Sequence, residues 1–106
     1  MDGTRTGVGS AGASGLLAAV TQVLRPDGEV AGAGFLVAKD IVVTCAHVTL
    51  AAGAGPGDPI RLAFPHAPGA PRVEGAVQAE GWRAPEDEDV AVIRLIGGVE
   101  GVTALR

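Results

Sequence analysis

From residue 16 onward, short apolar runs alternate with turn-forming residues. Leu16 to Leu24 gives way to Pro26-Asp27-Gly28, Val30 to Val37 to Lys39-Asp40, and Ile41 to Thr44 leads into Cys45. Runs of this length bounded by Pro, Gly and Asp read as β-strands joined by tight turns. Ala51 to Pro59 mixes Gly, Ala and Pro in a way that suits neither regular structure, so it reads as a loop. Ile60 to Phe64 and Val73 to Glu80 are further strands on either side of a proline-rich loop, Pro65 to Pro71. The last strand, Asp89 to Leu95, is apolar on both faces except at its ends, the pattern of a strand covered on both sides. Six strands at this spacing predict an all-β fold, a small antiparallel Greek-key-like barrel. The one helix expected is about one turn long, just after Cys45. Residues 1–15 hold five glycines and both serines, with little to bury; they are expected to be a flexible leader, and residues 16–106 the barrel.

Composition sharpens this outline. The core has to come from Val, Leu, Ile and Ala, with Phe35, Phe64 and Trp82 as its few bulky fillers. Gly32 and Gly34 are expected to permit a close strand approach or a bulge. The chain has 106 residues, the length of one domain, and a formal charge of −4 with no Lys/Arg cluster, which argues against a nucleic-acid partner. Cys45 is the only cysteine and has no intrachain partner, so the expected location is cytoplasmic. Leu16 to Val20 is too short for a signal-peptide core or a membrane span, and no membrane partner is expected.

Two residues stand out chemically. His47 follows an apolar strand at a strand-to-turn junction, and Asp89 opens the other strongly apolar strand. An imidazole that accepts a proton and a carboxylate that fixes its tautomer are the general base and orienting acid of acyl transfer, and packing these strands in one barrel would bring the two groups together with little solvent between them. Each residue alone has an ordinary reading, His47 as a turn residue and Asp89 as the start of a strand. Cys45, two positions before His47, is read as a buried, inert thiol. His66 lies in a Pro/Gly/Ala loop without ligand-type spacing and is read as exposed, so no metal or other cofactor is expected. Glu86-Asp87-Glu88 reads as a solvated acidic loop.

Taken together, Gly32-Ala-Gly-Phe-Leu-Val37, Val42-Val-Thr-Cys-Ala-His47-Val48 and Asp89-Val-Ala-Val-Ile-Arg-Leu95 resemble the trypsin-like serine peptidase family, including its bacterial Gly-x-Gly-Phe-type members. The resemblance covers roughly residues 16 to 105. It implies that the chain is the N-terminal half of a two-barrel chymotrypsin-like fold. It also implies that His47 is the general base, that Asp89 is its orienting acid, and that backbone N–H groups around Ala46 and His47 donate to the Asp89 carboxylate. The activity implied is serine endopeptidase, acting on peptides or proteins.

The family's nucleophile lies in a Gly-Asp-Ser-Gly-Gly-like block on a second barrel, and no such block occurs before Arg106. Ser10 and Ser14 precede the barrel and are not expected to serve. The partner implied is therefore a second β-barrel bringing serine, oxyanion hole and specificity pocket; without it the chain is expected to be inactive, and its uncovered face to lead to self-association or marginal stability. The alternative is a non-catalytic protease-like binding or sensor module within a larger protein.

Overall fold

A computed structural model describes residues 17–97 together with 99 and 102. The leader expected over residues 1–15 lies outside the described residues. Six strands form: β1 (Val20–Leu24), β2 (Val30–Ala38), β3 (Ile41–Thr44), β4 (Pro59–Ala63), β5 (Arg72–Val77) and β6 (Ala91–Leu95); one short helix, α1 (Ala46–Ala51), follows β3. Every strand pair is antiparallel, and the ring closes in the order β1-β2-β3-β6-β5-β4. Because β4 returns beside β1 while β1, β2 and β3 follow one another, the order β4-β1-β2-β3 is a Greek key, and the β3–β6 pairing closes the barrel.

A closed antiparallel barrel buries one face of each strand, so side chains alternate between interior and surface. Thr21 and Val23 point inward from β1, Val42 and Thr44 from β3, and Ala91, Ile93 and Leu95 from β6. Phe64, Leu36, Leu62, Ile93, Val23, Val42 and Val77 fill the interior, each essentially inaccessible to water. Burial of such side chains stabilises the fold by about 1.5–3 kcal/mol each. The buried Thr21 hydroxyl donates to the Ala19 carbonyl, so the core carries it without an orphaned polar group.

Several expectations need correction. The last strand is not covered on both sides: Val92 is half-buried and Arg94 exposed, as the barrel's single interior requires. It begins at Ala91, and Asp89 stands outside it in the left-handed region with φ of 58°. Residues 17–19 are helical, so the first strand starts at Val20 rather than Leu16. The fifth strand ends at Val77, before a turn at Gly81 with φ of 86°. Phe35 is 46% exposed and does not fill the core, because its neighbours Gly34 and Leu36 take the inward positions of β2. Phe64 is buried as expected, and Trp82 is half-buried against the core.

Both glycines of β2 are places of close approach. A Cβ on Gly32 would lie 2.7 Å from both methyl carbons of Val48 in α1, and one on Gly34 would lie 2.7 Å from the Val43 carbonyl oxygen. The register shifts of the β1–β2 and β2–β3 pairs fall elsewhere, at Val23/Leu24 and Leu36/Ala38. No helix among the described residues is long and apolar enough to cross a membrane.

Candidate active site

β3 and β6 are antiparallel neighbours with Thr44 opposite Ala91, so the chain leaving β3 and the chain entering β6 meet at one end of the barrel. His47 lies three residues beyond Thr44, and Asp89 two residues before Ala91. The strand pairing thus brings together groups 42 positions apart in sequence.

The alternation of β3 continues past its end. Val42, Thr44, Ala46 and Val48 are buried, whereas Cys45 and His47 between them are exposed. Ala46, Val48 and Thr49 anchor α1 to the barrel, Val48 against Gly32 of β2. The Thr44 hydroxyl donates to the Ala33 carbonyl at 2.7 Å, tying the end of β3 to β2. The C-terminus of α1 is closed by a Schellman motif: Gly53 N–H donates to Leu50 O and Ala54 N–H to Thr49 O, both at 2.9 Å, with Gly53 at φ of 85°. A six-residue helix is marginal alone, and these anchors hold the His47 backbone in place.

Asp89 engages His47 at two points. Its Oδ1 accepts the His47 backbone N–H at 2.8 Å, and its Oδ2 lies 2.6 Å from ring Nδ1. Cys45 occupies the N-cap position of α1 in extended conformation but makes no side-chain cap. Asp89 satisfies one of the helix's first N–H donors in its place, from across the β3–β6 seam. The His47 backbone N–H is the chief cause holding the Asp89 carboxyl below its usual range, followed by the hydrogen bond to the ring; partial desolvation opposes them, and the Ala46 backbone N–H adds to the lowering.

An ionised carboxylate only accepts, so the 2.6 Å contact places the proton on Nδ1 of His47. In the neutral ring that leaves the Nε2 lone pair available as a base. The His47 side chain is 62% exposed and Asp89 27%, so the pair lies at the surface rather than behind a water-free contact. This corrects the expectation of little solvent around it, since α1 turns its buried face, and not His47, toward the barrel.

Cys45 is exposed, contrary to the reading of a buried thiol. Continuing the period-two alternation from Val42 through residue 48 would have placed it correctly, on the same side as His47. His66 is exposed in the β4–β5 connection, as read, and takes no part in the cluster that joins Cys45, His47 and Asp89. The acidic run is also exposed: Arg83 Nε donates to Glu88 at 3.1 Å in a solvated pair, and the Asp87 and Asp89 backbone N–H groups both donate to the Ala84 carbonyl, shaping the turn that presents Asp89.

No protein-family model matches the chain. No curated protein matches it either. Among solved structures, the chain is similar to neuropsin, a serine protease expressed in the limbic system of mouse brain, with a TM-score of 0.56 and 18% sequence identity. The match covers 86% of this chain and 43% of the neuropsin chain, so the present chain spans less than half the length of that protein. At this identity the likeness is one of fold: the closed six-stranded barrel is a chymotrypsin-like half-barrel.

Proposed function

We propose that this barrel supplies the histidine and aspartate of a serine endopeptidase active site. The carrying observation is the two-point contact of Asp89 with His47, which fixes both the backbone position and the tautomer of the imidazole. His47 Nε2 is the general base: it takes the proton of a serine hydroxyl as that oxygen attacks the scissile carbonyl, then returns it to the leaving amine. Asp89 holds the ring and stabilises the imidazolium formed between these steps. The serine and the oxyanion donors come from a second β-barrel, and the substrate is a peptide or protein.

An apolar row on the outside of this barrel suits such a partner. Val20 pairs with Phe35, Phe35 with Val43 and Val43 with Val92, so that four apolar side chains cross four strands in register. Phe35 is exposed and the other three half-buried, an uncommon composition for surface facing only water.

The test is affinity capture of the second barrel on this chain, followed by treatment with a fluorophosphonate, which labels a serine activated by a neighbouring base. Labelling in the captured complex that is lost with His47→Ala supports the reading. Labelling indifferent to His47→Ala, or a captured barrel without a reactive serine, contradicts it and leaves a non-catalytic module.

A further inference from the structure

The exposed thiol beside the histidine and aspartate has a chemistry of its own. One ligand atom each from Cys45, His47 and Asp89 lie within 4.8 Å of one another, and all three side chains reach solvent. A thiolate, an imidazole nitrogen and a carboxylate oxygen form a mixed donor set suited to borderline-soft divalent ions such as zinc and cadmium. Tetrahedral coordination by three protein groups leaves the fourth position to water. Cys45 brings a free side chain to the cluster: its thiol caps no helix N–H and is bound in no disulfide. Asp89 and the α1 backbone are already held in place by the 2.8 Å bond to the His47 N–H.

The geometry points to a divalent metal site formed by Cys45, His47 and Asp89, which takes a zinc-class ion in competition with the His47–Asp89 hydrogen bond. Binding converts the Cys45 thiol to thiolate and releases one proton to solvent. The imidazole remains neutral, but its lone pair goes to the metal. Coordination through Nδ1, the ring nitrogen that faces Asp89, moves the ring proton to Nε2. His47 then has no free lone pair with which to accept a proton. If the pair acts as the base and acid proposed above, the site is an inhibitory one set by Cys45; metal binding itself does not depend on that reading.

The experiment titrates the chain with cadmium at neutral pH and follows sulfur-to-metal charge-transfer absorption. Cys45 is the only cysteine, so any such band reports this thiol. The expected band saturates at one ion per chain, is displaced by zinc and is lost in Cys45→Ser. His47→Ala and Asp89→Asn each weaken affinity by at least about tenfold, since even outer partners of metal ligands are commonly worth about 10–100-fold. In the wild-type chain, ¹⁵N NMR should show the His47 ring nitrogens shifting on binding while those of His66 stay in place; this reading does not depend on how the variants fold. No charge-transfer band, a band whose affinity is unchanged in both variants, or a shift at His66 in place of His47 would overturn the site. Metal binding without any fluorophosphonate-reactive complex would keep the site and reject the peptidase reading.

Discussion

Asp89 holds His47 by both ends of its carboxylate, Oδ1 on the backbone N–H at 2.8 Å and Oδ2 on ring Nδ1 at 2.6 Å. One residue therefore caps α1 and orients the imidazole, so changes at Asp89 should be felt in the helix and the ring together. The choice of substitution matters because Asp89 sits at φ of 58°, a conformation that Asn tolerates and most other residues do not. Asp89→Asn should keep the turn while removing the charge, whereas Asp89→Val should strain the backbone as well. In thermal melts, the valine variant is expected to unfold at a clearly lower temperature than the asparagine variant. Equal melting temperatures would show that the left-handed position imposes no constraint.

Acid should weaken the fold partly through this carboxylate. Its pKa in the folded chain lies below the ordinary value of 3.8, so the unfolded chain binds the proton more readily. The associated stability is fully present above the ordinary value and is lost as pH falls from there through the lower, folded value. Chemical denaturation between about pH 5 and pH 2 should therefore give a steeper fall in stability for the wild type than for Asp89→Asn. Parallel curves would mean that His47 does not favour the ionised form.

Gly32 is expected to set the seat of α1. A methyl group there meets the Val48 side chain, so Gly32→Ala should destabilise the barrel by about 1–3 kcal/mol in denaturant titration. Trimming the opposing side chain in Gly32→Ala/Val48→Ala should recover part of that loss. A double variant no better than the sum of the two single ones would show that the contact is not the cause.

The two phenylalanines should behave oppositely. Phe64 is wholly buried, and Phe64→Ala should cost about 3–5 kcal/mol. Phe35 is 46% exposed, and Phe35→Ser should change stability by about 0.5 kcal/mol or less while reducing self-association seen in sedimentation. A large loss of stability in Phe35→Ser would contradict its placement on the surface.

The sequence showed where strands and turns alternate because Pro, Gly and Asp punctuate the apolar runs, and β3 runs from Ile41 to Thr44 as read. It was less informative about facing. Phe35, Val43 and Val92 belong to an apolar outer row, so hydrophobicity alone could not separate inside from outside, and Phe35 was misassigned to the core. The two motifs carrying His47 and Asp89 are legible as local patterns, but their meeting depends on the β3–β6 pairing, a long-range register that local patterns do not encode. Cys45 was misread for a related reason: a small thiol among apolar residues resembles core, and only strict alternation through the strand-to-helix junction places it outside. The left-handed turn at Asp89 leaves no mark in the local pattern, because the apolar run after it looks like uninterrupted strand.

NMR of the His47 ring protons in the wild-type chain and in Asp89→Asn reads the hydrogen bond between the two residues directly. A strongly downfield Nδ1–H resonance is expected in the wild type, slowed in exchange with water and lost or moved upfield in the variant. An Nδ1 that carries no proton, or a His47 resonance identical in the two folded proteins, would contradict that hydrogen bond.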